Sequence, residues 1–376
     1  MFVVLRGRVV SVMRVSVVLP RNAHFGPEQP TAIDLCASDF IRHSEFVSDT
    51  TIHCHPVLRP FPDYKVRIVE RHRSARRTSL NFVESVVAAQ PDIIVVHQHV
   101  PTAAAIAEGV RNTPVVIHRH AHPKQPKNAF QLWRETWRYG KFARSVWPSE
   151  AVLAPFASRQ PVLGQRAVVI PNGLNLADWT PAVERRQEIL FVGRAHPEKG
   201  GLPAANAVRA VLADQPDWRA RFVLSRAEDD TSEVEKIQAA LAPVQDQVEI
   251  AHNLPFAAVK ADFERCEIAL VPSVYQEPFG RTALEGLAGG AVLVHSGRGG
   301  LAGVVGEAGR KVENVDTDDI AAAIRVLVHD GDLRRGLRAA GFKQAERFDV
   351  HKSATRLDEL YASVRHEVAN TYKVAG

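Results

Sequence analysis

Residues 271–285 read Val271-Pro-Ser-Val-Tyr-Gln-Glu277-Pro-Phe-Gly280-Arg-Thr-Ala-Leu-Glu285. An apolar run of strand type ends at Pro272, a loop carries Glu277, Pro278 and Gly280, and Thr282 opens a helical pattern. A buried strand that passes through a glycine loop into a helix is the unit of an open α/β sheet. The backbone N–H groups at such a helix start, around Gly280, Arg281 and Thr282, make an anion site by geometry and by dipole. A diphosphate suits it. Glu277 precedes the helix and Glu285 lies on its first turn, eight residues on. The two carboxylates can bracket a ligand lying across the helix start, and carboxylates accept hydrogen bonds from vicinal sugar hydroxyls. A helix-capping glutamate followed by a surface glutamate has the same spacing.

A second segment narrows the choice. Phe191-Val-Gly193-Arg194-Ala-His-Pro-Glu-Lys199-Gly200-Gly201 follows another strand pattern. Arg194 can fork onto two phosphate oxygens, and Lys199 supplies a point charge. Gly193 and Gly200 allow the backbone to approach closely. An ordinary strand-to-helix loop with exposed charges is the plainer reading. No GxxxxGK[ST] and no strand–GxGxxG–helix occurs, which counts against a P-loop nucleotidase and a dehydrogenase.

Around these segments, short Val/Ile/Leu runs alternate with amphipathic stretches. Strands are expected over 15–20, 93–97, 115–118 and 168–170, then over 189–193, 221–225, 248–250, 268–272 and 291–295. Continuous rather than alternating apolar runs indicate parallel strands buried on both faces. Helices are expected over 78–90, 102–111, 128–142, 203–214, 232–241 and 318–329. The βαβ pattern is thus given twice. Pro171-Asn172-Gly173 is a turn signal, and a loose linker is expected over 171–187. The expected domains are 1–172, 173–350 and a terminal helix over 351–376 that packs back on the first domain. Two open α/β domains imply a cleft between the carboxyl ends of both sheets.

The chain has 376 residues, 45% of them hydrophobic and 24% charged, enough for two cores and against long disorder. No run approaches eighteen apolar residues. Cys36, Cys54 and Cys266 are far apart with no CxxC, which argues against a disulfide framework and a zinc ribbon and suits a reducing cytoplasm. Arg6, Arg8 and Arg14 interrupt the apolar start of the chain, so residues 1–12 read as an upstream start or a short ordered extension, not a targeting segment. The net charge of +5 divides into +10 through Asn172 and −5 beyond it. Arg71, Arg73, Arg76 and Arg77 form a dense run in the basic half. It reads either as a solvated face or as a surface for an anionic acceptor or acidic membrane. No nucleic-acid module accompanies the charge, so no nucleic acid is expected.

The two loops together resemble the GT-B glycosyltransferases of family 4, retaining enzymes that depend on nucleotide sugars. The carriers are Gly193-Arg194 with Lys199-Gly200, and the pair Glu277 and Glu285 in Glu-Pro-Phe-Gly-x-x-x-x-Glu. Pro171-Asn-Gly-Leu-Asn resembles the family's interdomain turn. The resemblance implies two Rossmann-like doubly wound domains facing each other across a cleft. It implies that Arg194 and Lys199 bind the donor diphosphate, Glu277 faces the transferred sugar and Glu285 holds the ribose. Main-chain groups of Pro278, Phe279, Gly280, Arg281 and Thr282 bind sugar and phosphate, and the base lies near Asn253 and Leu254. A family histidine near the sugar matches His118 or His120, with His120 preferred.

The family's Gly-Gly pair after the first strand is replaced by Arg21-Asn-Ala-His-Phe-Gly26-Pro-Glu28, where Gly26 takes its place. A common Gly-Gly-Leu-Pro-Glu reads Gly299-Gly300-Leu301-Ala302-Gly303 and lacks the glutamate. His118, His120 and His122 alternate, as do His97 and His99, which also allows a zinc site as the lesser reading. Trp133 and Trp137, at i and i+4, read as core rather than sugar platform.

The resemblance implies a front-face transfer that needs no protein nucleophile and no metal. Glu277, His120, Arg194 and Lys199 are then the catalytic set. The Asp-x-Asp metal motif is absent, and Asp229-Asp230 and Asp318-Asp319 are adjacent pairs. The expected partners are a UDP- or GDP-hexose and a cell-envelope glycan or lipid-linked acceptor. The expected place is the cytoplasm, with peripheral contact at the inner face of the membrane. A nucleotide-sugar epimerase or a non-enzymatic sugar-nucleotide binder is the alternative.

Overall fold

The computed structural model describes residues 2–5, 8–11, 13–20, 24–27, 30–110, 112–225 and 231–374, with backbone alone for 2–5, 8–11 and 371–374. Met1, Arg6, Val12, Arg21, Asn22, Ala23, Glu28, Arg111 and the Asp229-Asp230 pair lie outside the described residues. The chain divides into two compact units, Met1–Gly173 with Val350–Gly376, and Leu174–Asp349.

The strands of the first unit are β1 (Phe2–Leu5), β2 (Arg8–Ser11), β3 (Val15–Leu19), β4 (Thr50–Cys54), β5 (Lys65–Ile68), β6 (Ile93–His97), β7 (Val115–His118), β8 (Arg144–Trp147) and β9 (Ala167–Val169). Its helices are α1 (Ala32–Arg42), α2 (Ala75–Ala89), α3 (Val100–Gly109), α4 (Ala129–Tyr139), α5 (Glu150–Arg159) and α6 (Pro161–Gly164). β1 and β2 form an antiparallel hairpin. The other seven make a parallel sheet in the order β5-β4-β3-β6-β7-β8-β9. Successive side chains point to opposite faces, so one strand feeds two cores. Val17, Ile52, Val95 and Val116 pack with Phe40 and Ile41 of α1. Val18, Ile94, Val96 and Ile117 pack with Phe82 of α2, Ile106 of α3 and Phe156 of α5.

β4, β5 and β8 were not expected from the sequence. β4 reads Thr-Thr-Ile-His-Cys, with a polar residue in the core. His53 is fully buried there because its two ring nitrogens bond the hydroxyls of Ser85, at 2.8 Å, and Ser16, at 3.0 Å. β5 is a mostly exposed edge strand with no apolar run. The terminal helix α14 (Val350–Val374) joins this unit, and its Val350, Leu357, Tyr361 and Val364 complete the α1 face. Asp358 of α14 accepts hydrogen bonds from the Ser44 hydroxyl at 2.6 Å and the Glu45 N–H at 2.8 Å. Burial pushes its carboxyl up to about 6.

Trp133 and Trp137 of α4 are not core. They are 57% and 43% exposed. Their i, i+4 spacing correctly puts them on one helix face, but that face points to solvent.

The second unit has β10 (Arg186–Arg194), β11 (Arg219–Ser225), β12 (Val248–His252), β13 (Cys266–Val271), β14 (Val292–His295) and β15 (Gly309–Lys311). Its helices are α7 (Gly201–Leu212), α8 (Ser232–Leu241), α9 (Phe256–Arg265), α10 (Arg281–Ala288), α11 (Leu301–Val305), α12 (Thr317–His329) and α13 (Gly331–Ala345). The parallel sheet runs β12-β11-β10-β13-β14-β15. Ile189, Phe191, Phe222 and Ile268 face α7, α8 and α12. Leu190, Val223, Ala269 and Leu293 face α10 and α11. The strand order reverses between β10 and β13, which is where open sheets hold ligands. No helix among the described residues is long and apolar enough to cross a membrane.

The segment expected as a loose linker, 171–187, is held tightly near both of its ends. Leu174 is buried, and its N–H bonds the Phe348 carbonyl at 3.0 Å. The Arg185 guanidinium donates to the carbonyls of Phe263, Cys266 and Gly289, at 2.9, 2.9 and 3.0 Å for the closest Phe263, Nε–Cys266 and Gly289 bonds. These carbonyls end α9 and α10, where a cation also meets the negative ends of two helix dipoles.

Arg185→Ala is expected to lower the stability of the second unit by about 3 kcal/mol, because hydrogen bonds to a charged group are worth roughly 1.5–3 kcal/mol. Thermal or urea unfolding measures it. A variant as stable as the parent contradicts this role.

Candidate functional site

Parallel strands bring their carboxyl ends to one edge of the second sheet. There β10 delivers Arg194, β12 delivers Asn253, and β13 delivers the loop from Pro272 to α10. Arg194 is exposed. Beyond it, a turn over Pro197–Lys199 ends at Gly200, whose φ is +71°. A Cβ at Gly200 would stand 2.1 Å from the Pro272 carbonyl oxygen. Only glycine permits this approach, and it lays Lys199 against the β13 loop.

The result is an ion pair between residues 78 positions apart. Lys199 Nζ donates to Glu277 Oε1 at 2.7 Å. The same oxygen accepts from the Ser273 hydroxyl at 2.6 Å, and Oε2 accepts from the Tyr275 hydroxyl at 2.9 Å. The Lys199 ammonium also lies 5.0 Å from the Tyr275 ring centroid, a cation–π contact. Glu277 is 6% exposed. A carboxylate this deep is stable only when its lone pairs are filled and a cation stands beside it. Burial, then the neighbouring Glu277 charge, pushes the Tyr275 phenol well above its usual value, so it remains a donor.

The Glu277 backbone is fixed from the other side. The Gly300 N–H bonds the Glu277 carbonyl at 2.7 Å. Gly299 has φ +65°, and a Cβ on it would lie 2.4 Å from that carbonyl oxygen. The Gly299-Gly300 pair therefore docks the loop, whatever the glutamate missing after it does elsewhere. Pro278 is half-buried and Phe279 buried, and Gly280, at φ +111°, caps α10. Arg281 Nε donates to Glu285 Oε1 at 2.8 Å, so the second carboxylate too is paired with a cation. The first-turn N–H groups of α10, from Arg281 and Thr282, point back toward the loop. Asn253, at φ +48°, is exposed at the end of β12, with Leu254 half-buried beside it. Gly193 is half-buried in β10.

In the first unit, Gly26 is buried beside Phe25, with its N–H on the His24 carbonyl at 2.6 Å. Arg71, Arg73, Arg76 and Arg77 are all exposed, ahead of and within the first turn of α2. The histidines meet differently from the alternating row. His97, His118 and His120 come together, with candidate ligand atoms within 4.8 Å of one another. His122 does not join them. His99 bonds the Thr102 hydroxyl instead, at 2.8 Å.

The three rings lie nearly parallel, at 14–27° and 4.7–5.0 Å between centroids. Imidazole lone pairs lie in the ring plane, so no one point lies on the lone-pair axes of three stacked rings. His97 Nδ1 and His120 Nε2 instead share a hydrogen bond of 2.8 Å. The arrangement is a neutral stack and does not fit a tetrahedral metal. Burial lowers His97 to about 3 and holds His118 and His120 well below 6.5, the neighbouring histidines adding to it. His118 is 1% exposed, enclosed by Phe40 and its two companions, whereas His120 is half-buried.

Gln98 sets the loop that carries His120. Its Oε1 accepts from the N–H groups of His120 at 2.8 Å and Ala121 at 3.2 Å, and its carbonyl accepts from the Arg119 guanidinium. Gln98 sits at φ +60°, a strained value for a residue with a Cβ. Ser273, Tyr275 and Gln98 were not singled out from the sequence, and His97 was read there only as part of the alternating histidine row. Ser273 and Tyr275 lie inside the motif that was, and their hydroxyls beside an acid were the available signal.

Comparison with known proteins follows the same division. A sequence model described as Glycosyltransferase Family 4 matches residues 14–178, and one described as Glycosyl transferases group 1 matches residues 178–344. The chain is 28% identical over 229 residues to the D-inositol 3-phosphate glycosyltransferase of Thermobispora bispora, covering 56% of this chain and 53% of that protein. It is 29% identical over 211 residues to the phosphatidyl-myo-inositol mannosyltransferase of Mycolicibacterium smegmatis, covering 54% and 53%. The chain spans about half the length of the curated relatives it matches. Among solved structures, Anabaena HepE in complex with UDP and glucose superposes with a TM-score of 0.76 at 16% identity, over 93% of this chain and all of that one (100%). Sucrose-phosphate synthase from Thermosynechococcus elongatus gives 0.73 at 18%, over 94% and 99%. At such identities the likeness establishes the fold.

The buried histidines make stability depend on pH. A histidine whose folded value lies below 6.5 binds fewer protons folded than unfolded. Its contribution is therefore lost as pH falls from about 6.5 toward the folded value, at about 1.4 kcal/mol per unit. His53 and His295, lowered to about 4, and His97, lowered to about 3, act in this sense with His118 and His120. Asp358, raised to about 6, acts oppositely, losing stability as pH rises through its window. The balance predicts a falling unfolding free energy from pH 7 to pH 5 in urea titrations. A flat or rising profile contradicts the neutral histidine stack.

Proposed function

The chain belongs to the family 4, group 1 glycosyltransferases of the GT-B fold, and from that premise we propose that it moves a hexose, with retention and without a metal, from UDP- or GDP-hexose to a cell-envelope glycan or lipid-linked acceptor of lipopolysaccharide or exopolysaccharide type. The observation that carries this reading is the Lys199–Glu277 pair, seated at the switch point of a parallel sheet beside the start of α10. UDP and glucose in the complex of Anabaena HepE support a uridine diphosphate sugar as donor.

In this mechanism the acceptor oxygen bonds the anomeric carbon on the face from which the diphosphate leaves. The bond from that carbon to the phosphate oxygen breaks, its electron pair stays on the phosphate, and the phosphate takes the acceptor proton. No protein nucleophile is needed. Lys199, Arg194 and the α10 dipole stabilise the charge that builds on the leaving phosphate. Glu277, held by Ser273 and Tyr275, orients Lys199 and receives sugar hydroxyls. Glu285 receives the ribose hydroxyls. His120, kept neutral by burial, offers a hydrogen bond to the sugar without adding charge.

For the acceptor, the arginine run of the first unit is the guide. Arg76 and Arg77 stand in the first turn of α2, where cations oppose the helix dipole. Arg77 has only a long, exposed contact with Glu84 of the same helix, at 3.9 Å, and the run as a whole supports an anionic or membrane-borne acceptor and a peripheral place on the inner face of the membrane. The relatives named for inositol phosphate and phosphatidylinositol substrates agree with an anionic acceptor.

Two substitutions test the assignment. Glu285→Ala is expected to weaken binding of the bare nucleoside diphosphate and of the sugar donor alike. Glu277→Ala is expected to leave bare nucleotide affinity nearly intact and to cut turnover. Each loss should be about ten- to a hundredfold, the worth of roughly 1.5–3 kcal/mol for a hydrogen bond to a charged group. Calorimetry and steady-state rates read both. Equal loss of nucleotide affinity in the two variants contradicts the division of labour, and no loss in either contradicts the site.

A further inference from the structure

Helix α4 buries little of itself. Among its residues only Tyr139 is fully buried. Phe130 is 62% exposed, and with Trp133, Trp137 and Leu132 it leaves four large apolar side chains in solvent. Phe130, Trp133 and Trp137 fall at i, i+3 and i+7, within a narrow arc of the helix. Their rings form one ladder, 5.8 Å between Phe130 and Trp133 and 6.3 Å between Trp133 and Trp137, at 25° and 21°. Scattered exposed apolar residues need no explanation, but an aromatic ladder on one face marks an interaction surface.

Cations are interleaved with the rings. Residues 124–141 hold Lys124, Lys127, Arg134, Arg138 and Lys141 against Glu135 alone. The Arg134 guanidinium stands 5.7 Å from the Phe130 ring centroid and the Lys141 ammonium 4.1 Å from that of Trp137. Lys141 also pairs with Glu108 at 3.1 Å. Glu135 is turned inward onto Arg159, at 3.1 Å. The exposed side is therefore aromatic and positive. On the sheet face that α4 shares with α2 and α3, α2 begins with the arginine run.

We propose that the aromatic face of α4 is a membrane-interface anchor, which seats the protein on an anionic lipid surface with Phe130, Trp133 and Trp137 at headgroup depth. Trp rings with Lys and Arg beside them are the composition that a helix lying in the interface requires. A second copy of this chain fits poorly, since a two-fold contact sets the same cations against each other. The inference deepens the membrane-borne acceptor reading. Lipid binding needs no turnover, so its failure is distinguishable from failure of the transferase reading.

The test is co-sedimentation of the full chain with vesicles of equal phosphatidylcholine and phosphatidylglycerol, against phosphatidylcholine alone. The chain is expected to partition onto the anionic vesicles and to weaken as salt rises. Phe130→Ala, Trp133→Ala and Trp137→Ala combined should reduce partitioning about tenfold or more, with melting temperature and nucleoside diphosphate affinity unchanged. If that variant fails to fold, Trp133→Ser alone carries the test, with a loss of several-fold expected. Partitioning equal to the parent's in the variant that folds, or equal partitioning onto both vesicles, overturns the proposal. So does a concentration-dependent dimer in sedimentation equilibrium that the substitutions abolish.

Discussion

The pair of half-buried Lys199 and buried Glu277 is the constraint around which the second unit is arranged. A carboxylate 6% exposed is costly to desolvate, and the cost is met by one cation and two hydroxyls within 2.9 Å. Removing the lysine would strand a charge, which is far worse than removing the whole pair. The surrounding backbone is shaped for it. Gly200 presses the Lys199 turn onto Pro272, and Gly299 presses its own loop onto Glu277. Both glycines stand at positive φ, where a side chain would be strained even without the clash. What looks like flexibility in the sequence is close approach in the fold.

The first unit is built on the opposite principle. Its polar centre carries no charge pair but three imidazoles kept neutral by burial. They stack at the carboxyl ends of β6 and β7, and Gln98 fixes the turn above them at a strained φ. Strain of this kind persists where the surroundings over-determine a position, and such positions cluster at functional sites. The arginine run at the start of α2 and the cations of α4 lie outside and meet solvent, whereas Arg119 is buried beside the stack, on the Gln98 carbonyl.

Much of the architecture was legible because parallel strands buried on both faces are written as unbroken Val/Ile/Leu runs. Where a strand carries its own polar partner the signal fails, as in β4, whose His53 is satisfied only by Ser16 and Ser85 from distant segments. The Glu277–Glu285 loop was legible since it is continuous in sequence. The Lys199–Glu277 contact was not, because 78 residues separate the partners, the strands β11 and β12 among them. Trp133 and Trp137 show a different limit. Helical spacing tells which side chains share a face, not whether that face meets core or water. The linker failed for a related reason: what Arg185 holds is the ends of α9 and α10, which lie about eighty to a hundred residues further along the chain.

The central claim is that Lys199, poised on Glu277, receives a diphosphate. Calorimetric titration of UDP, GDP and uridine into the parent and Lys199→Ala tests it most directly. The account predicts that one diphosphate binds, stabilising the fold by about 2.7 kcal/mol at one hundred times its dissociation constant. It predicts that Lys199→Ala loses at least about tenfold of that affinity, as expected for a charge-assisted bond, while the weak binding of the phosphate-free nucleoside is unchanged. Equal affinity of parent and variant for the diphosphate, or no binding by any diphosphate, would contradict it.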